Sequence, residues 1–375
     1  MQKHGFFIEA FPAKDFAGKD RAVVVAKGTW QLDNNLLSPV DDPVPVLYVD
    51  EFEDPDKPMR SPVVFESDTA FQKNGTDIIV RGTAYAPGNK AIPSFNVKLQ
   101  VGSFVRNLLI RGPRRASFAG SEKNPKPPVF SKTTPIKQLE ISFKYAYGGL
   151  TRYAMPDGSD PVDLPCPTNP LGLGYVVQAI PELINGLALP QIEFPDRPLT
   201  PQKLVQNLGD GAMVPIPAGL GFYGKAWVPR VDLLGVMPYE LESVKKIMAE
   251  YGRISESPDM PGPVTGFEPA VMQPDFFSAA APYNVVKPFL KGNETVVMEN
   301  LTKDNNLSFY LPGITPIIQL DSGNGMEGVD IVLDTLVFLP DKGRVITIFR
   351  GSRVLNATDD VDHVADMPLS ADFKK

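Results

Sequence analysis

Residues 97–101 read Val97-Lys98-Leu99-Gln100-Val101, and residues 138–145 read Gln138-Leu139-Glu140-Ile141-Ser142-Phe143-Lys144-Tyr145. Apolar and polar side chains alternate in both stretches. Successive side chains of a strand point to opposite faces, so a period of two marks a strand with one face buried and the other wet. Working outward, β-rich runs recur at Ala22 to Leu32, Thr76 to Ala86, Val105 to Arg111, Thr295 to Leu301, Ser308 to Leu311, Asp330 to Leu339 and Arg344 to Arg350. Gly, Pro, Asp or Asn bound each of them, as turn chemistry requires. With 39 prolines in 375 residues, long helices are disfavoured, because proline removes a backbone donor. The expected fold is mainly β, a β-rich α+β chain with antiparallel, β-sandwich-like sheets.

One helix is expected near residues 239–251, where Leu241, Val244, Ile247, Met248 and Tyr251 fall on one face. Pro238 stands near its start and Gly252 near its stop. A weaker helix is expected within Gly174 to Leu189, broken by Pro181 and Gly186. A connector through Pro258, Pro261, Pro263, Pro269 and Pro274 follows the first helix. The expected division is therefore an N-terminal β-rich domain over 1–235, a helix and connector over 236–275, and a C-terminal β region over 276–352. An acidic tail over 353–375, with Asp359, Asp360, Asp362 and Asp366, is expected to be frayed.

Composition narrows the function. The formal charge is −7 with acidic and basic residues interleaved, which leaves no basic stripe for a nucleic-acid partner. No apolar run is long enough for a membrane span, and Phe6-Phe7-Ile8 among Lys3, Glu9 and Lys14 is too short and too charged for a signal segment. Cys166 is the only cysteine, so no internal disulfide forms and a reducing, cytoplasmic setting is expected.

No reaction chemistry stands out. Gly219-Leu220-Gly221-Phe222-Tyr223-Gly224 matches a dinucleotide glycine pattern, but proline-rich sequence precedes it, and Lys225-Ala226-Trp227 follows where a helix is needed. It reads as a tight loop leading into a strand around Trp227. Cys166 lies between Pro165 and Pro167, and His4 and His363 are the only histidines, so neither a thiolate pair nor a Ser-His-Asp triad is indicated. The acidic run Asp50, Glu51, Glu53, Asp54 and Asp56 lacks the spacing of a calcium loop. No catalytic residue, cofactor or metal is expected.

Two constellations remain. Ser67-Asp68, Lys73, Thr76-Asp77 and Gly82 surround the strand Ile78-Ile79-Val80 and read first as a turn-and-ion-pair scaffold, with Asp68 and Asp77 as alternative partners of Lys73. Between Tyr145 and Tyr175 stand Tyr147-Gly148-Gly149 and Asn169-Pro170-Leu171-Gly172-Leu173-Gly174. Glycines of this kind permit positive φ or close backbone approach, and so shape an irregular surface held by aromatic packing.

Read in order, the chain carries Lys27-Gly28-Thr29, Ser67-Asp68, Thr76-Asp77, Gly82-Thr83-Ala84-Tyr85-Ala86-Pro87, Tyr147-Gly148-Gly149, Asn169-Pro170-x-Gly172-x-Gly174, Trp227-Val228-Pro229-Arg230, Leu311-Pro312-Gly313, Leu333-Asp334-Thr335 and Phe349-Arg350. This series resembles a bacterial family of adaptor proteins encoded beside type VI secretion spike genes. The resemblance implies a cytoplasmic adaptor or chaperone that binds a secreted toxin effector and helps load it onto the VgrG/PAAR spike. It departs from the family at Gly112-Pro113-Arg114-Arg115-Ala116, where a tryptophan usually follows, and at Phe349-Arg350, which replaces a tryptophan-arginine pair. Tyr147, Asn169, Trp227 and Arg230 are the expected partner-binding residues, since Trp, Tyr and Arg commonly anchor interfaces. A carbohydrate-binding β-sandwich and a hydrolase with paired carboxylates are the alternatives.

Overall fold

The computed structural model describes all residues except 122, 154, 156–157, 207–213, 255–268, 324, 357–358, 360 and 375. It is 43% strand and 15% helical, so the expected β-rich class is what the chain forms. The largest sheet is centred on Asp20–Asp33, which pairs antiparallel with Phe6–Lys14 on one side and Arg344–Val354 on the other. Arg344–Val354 pairs antiparallel with Ile331–Leu339, which in turn runs parallel to Thr76–Val80.

The central strand is buried from Ala22 through Trp30. Its sequence, Ala22-Val23-Val24-Val25-Ala26, is apolar without alternation because both faces are covered. Ala22, Val24 and Ala26 face one core with Phe6, Ile8, Ile78 and Val80, while Val23 and Val25 face another with Ile79, Val337, Ile346 and Ile348. Each of the Val, Ile and Phe side chains contributes about 1.5–3 kcal/mol by leaving water, and each alanine methyl less.

A five-stranded antiparallel sheet, ordered Ile192–Glu193, Phe104–Arg111, Ser94–Val101, Thr295–Glu299 and Asn306–Tyr310, closes over the first core. Here the opening stretch behaves as read: Phe95, Val97, Leu99 and Val101 are buried against Leu108, Ile110, Val296 and Met298. The second alternating stretch is cut short. Its strand spans only Gln138–Glu140, and Phe143–Tyr145 form a 3-10 turn whose Ser142 side chain accepts from the Lys144 N–H.

The helix spans Leu241–Ile254 after a 3-10 turn at Pro238–Glu240; its Ile247 is 63% exposed. The segment Gly174 to Leu189 contributes one helical turn, Pro181–Ile184, which Pro181 starts instead of breaking. Strands from before and after the connector interleave in both sheets, so the hydrogen bonding does not follow the expected division at 236–275. Most of the connector itself lies outside the described residues. The tail differs from expectation as well. Leu369–Lys374 pairs antiparallel with Thr315–Asp321, and Val364 and Ala371 are buried. Alternation at Leu369, Ala371 and Phe373 outweighs the neighbouring acidic residues.

Candidate docking site

Beneath the site lies a row of side chains on one face of the large sheet, polar but for Ile348. Register places Lys27 opposite Ile348, Ile348 opposite Thr335, and Thr335 opposite Asp77. A β-bulge between Leu333 and Thr335 leaves Asp334 as the extra residue. A bulge re-aims a side chain, and here Asp334 accepts from Arg350 Nε at 2.5 Å and from the Thr335 hydroxyl at 2.8 Å. Arg350 also donates to the carbonyls of Asp68 and Ala70.

Lys73 donates to Asp77 at 2.7 Å and to Thr335 at 2.8 Å, whereas Asp68 takes Lys27 at 2.8 Å and the Leu47 N–H. Of the two alternatives for Lys73, the structure thus selects Asp77. Burial pushes the Asp77 carboxyl upward, against the attraction of Lys73; one of its oxygens has no hydrogen-bond partner among the described residues. Lys27, Asp68, Lys73, Asp77, Asp334 and Arg350 are all buried. Segments far apart in sequence therefore meet at one set of ion pairs.

A second buried pair continues this floor. Arg230 grips Glu66 through two hydrogen bonds and donates to the carbonyls of Tyr223 and Phe276 at 2.7 Å. Lys225 donates to Asp50 at 2.7 Å and lies 3.8 Å from Glu66. Burial alone would raise the Asp50 carboxyl, but the Lys225 ammonium and the Ser67 N–H overcome it and hold Asp50 below its ordinary value. A carboxyl depressed in the folded state stabilises above its unfolded pKa, about 4, and loses that contribution as pH falls through the folded value. Asp50→Asn is expected to lower the melting temperature at neutral pH and to flatten its decline between about pH 5 and 3. Melting curves across that range check it; equal slopes in both proteins would contradict the assignment.

Two clefts open above this floor and share Val63 and Trp227. One, of about 430 Å³, is lined by Arg81, Glu53, Glu140, Phe143, Phe222 and Asp341. The other, of about 750 Å³, is lined by Met59, Arg60, Leu150, Pro165, Leu171 and Lys225. Met59 is 73% and Leu150 50% exposed. Trp227, 8% exposed, stands edge-on to Phe143 and Tyr223 with ring centroids 5.5 and 5.1 Å away.

The glycine-rich stretches form the support of the larger cleft. Tyr147–Gly148 pairs in parallel with Leu173–Gly174. A Cβ on Gly148, whose φ is +145°, would lie 2.1 Å from the Asn169 carbonyl oxygen, so only glycine fits the contact. The Asn169 amide donates to the carbonyls of Phe143 and Tyr147, both at 2.9 Å.

Of the four expected partner-binding residues, Trp227 lies at the junction of the clefts. Tyr147 lines a separate hollow of about 280 Å³ beside Ile192 and Phe194. Asn169 is fully buried and Arg230 is 3% exposed; both sit beneath the surface as supports, because their polar groups are spent on carbonyls and on Glu66. Glu66 carries no signal in sequence, because a charged residue reads as surface until its partner across the fold, here Arg230, is known; Arg81 reads as surface for want of any local sign of the cleft that encloses it.

The rejected glycine pattern is a loop: a Cβ on Gly219 would lie 2.5 Å from the Phe143 ring. The strand expected around Trp227 is instead a turn followed by a 3-10 turn at Val231–Leu233. Cys166 is buried against the Thr168 hydroxyl, and burial pushes its thiol up. Among the described residues, no group of three or more His, Cys, Asp or Glu side chains could hold a metal ion, and no helix is long and apolar enough to cross a membrane.

A shared apolar core, a buried ion-pair floor and two open clefts define a strand-rich protein. Over residues 17–350 the chain matches the model of a family described as an uncharacterized protein conserved in bacteria (DUF2169), and it belongs to that family. No curated protein and no solved structure matches it.

Proposed function

We propose that this protein is a docking adaptor, which holds a segment of a partner protein in the paired clefts around Trp227. The observation that carries this reading is the clefts themselves. They are of ligand-pocket size, about 430 and 750 Å³, they meet at a nearly buried tryptophan, and exposed Met59 and Leu150 line the larger one. Aromatic anchors bordered by exposed apolar side chains are typical of interface centres. Following the sequence resemblance, the partner is a secreted toxin effector, and the adaptor delivers it in the cytoplasm to the VgrG/PAAR spike.

Pull-down against the products of neighbouring effector and spike genes tests this. The wild type should capture the effector, and Met59→Asp, changing a side chain exposed to solvent, should abolish capture without shifting the melting temperature. Capture of neither product, or capture indifferent to Met59→Asp and Leu150→Asp, would count against it.

One observation favours a second reading. Glu53 and Glu140 both line the smaller cleft, as the paired carboxylates of a hydrolase would, although Lys144 ties them together at 2.9 and 3.3 Å. Turnover of a glycoside lost in Glu140→Gln would replace docking by catalysis.

A further inference from the structure

We infer that the smaller cleft takes an extended polypeptide segment carrying a lysine or arginine, with Arg81 holding its backbone carbonyls and Glu53 and Glu140 receiving its cation. This rests on the docking reading and gives the partner segment a chemical class.

Arg81 follows directly on the strand Thr76–Val80, where its N–H donates to the Phe338 carbonyl at 2.9 Å. Its half-buried guanidinium lies 5.0 Å over the Phe65 ring and makes no side-chain hydrogen bond among the described residues. Burial weakens its hold on its proton, and Glu140, Glu51 and Glu53 work against that. A guanidinium offers five N–H donors in a fixed fork and no acceptor, so this one faces the cleft with donors to spare.

The acceptor it suits is decided by the surrounding charge. Glu53, Glu140 and Asp341 line the same cleft, against Arg81 and Lys342. Lys144 lies between Glu53 and Glu140 and compensates one of them. A carboxylate ligand would meet this acidic wall at a cost, whereas neutral carbonyls satisfy Arg81 and a partner cation relieves the remaining acidic charge.

Backbone geometry supplies the second support. Among the described residues Val63–Phe65 pairs only with Glu51–Phe52, so this two-stranded ribbon keeps an open edge. Val63 and Val64 line the cleft. An open edge recruits an extended chain through main-chain hydrogen bonds, with side chains reading alternate positions.

Panning a random-peptide display library on the full-length protein tests the inference. Enriched peptides should combine lysine or arginine with large apolar residues. A synthesised peptide from that set should lose about tenfold in affinity on Glu140→Lys and on Arg81→Ala, and should weaken with salt. Glu140 is exposed, which keeps the first variant foldable. Peptides whose binding is lost on Met59→Asp in the larger cleft but that show no basic preference, or that bind Glu140→Lys as well as the wild type, would overturn the inference and leave docking standing. No enrichment would overturn both.

Discussion

Arg350→Met is expected to lower folding stability by about 3–5 kcal/mol, because it removes one partner of a buried ion pair and leaves the other charge uncompensated. Arg350 and Asp334 are 4% and 1% exposed, and the lost guanidinium would also abandon the carbonyls of Asp68 and Ala70. Urea unfolding measures the loss directly. The double variant Asp334→Leu with Arg350→Met should recover much of it, since exchanging both charges for apolar groups avoids the stranded carboxylate. A single variant within about 1 kcal/mol of the wild type would show that Arg350 does not hold the floor together.

The second large effect is expected at Trp227. Trp227→Ala removes an indole that two aromatic rings and Gly224 enclose, at a cost of about 3–5 kcal/mol. It also removes the wall common to both clefts, so partner capture should fall further than stability alone explains. Trp227→Phe keeps an aromatic edge toward Phe143 and Tyr223 and should retain more of both. Melting and pull-down on the same samples separate the two contributions. Full capture by a folded Trp227→Ala protein would place the interface elsewhere.

How far the sequence foretold these features depends on the range of the forces involved. Ser94–Val101 was legible because alternation is local and one face of the strand is buried. The glycines around Asn169 were legible as shape for a similar reason: positive φ and close approach leave a residue-type signature at each position. The ion-pair floor was legible only as fragments. Lys73 and Asp77 are four residues apart, but Lys27 meets Asp68 across 41 positions and Arg230 meets Glu66 across 164. No pattern in sequence fixes such register. Asp334 reads as one acidic residue in an apolar strand, and only the bulge explains why it turns to Arg350. Arg230 looked like an interface anchor for the converse reason, since nothing near it in sequence announces the carboxylate that buries it. In the tail, the charge of Asp359, Asp362 and Asp366 masks the short alternation at Leu369, Ala371 and Phe373 that pairs with Thr315–Asp321.

The pairing of Asp20–Asp33 with Arg344–Val354 has a bearing on synthesis. During translation, the apolar strand Asp20–Asp33 emerges long before its neighbour Arg344–Val354 has been made, since Trp30 and its partner Thr347 stand 317 positions apart. Closing a loop of that size is entropically slow to reward, and unmatched edges invite association meanwhile. Expression levels should therefore suffer steeply from C-terminal truncation before residue 354, and a fragment ending at the proline-rich connector should collect in inclusion bodies.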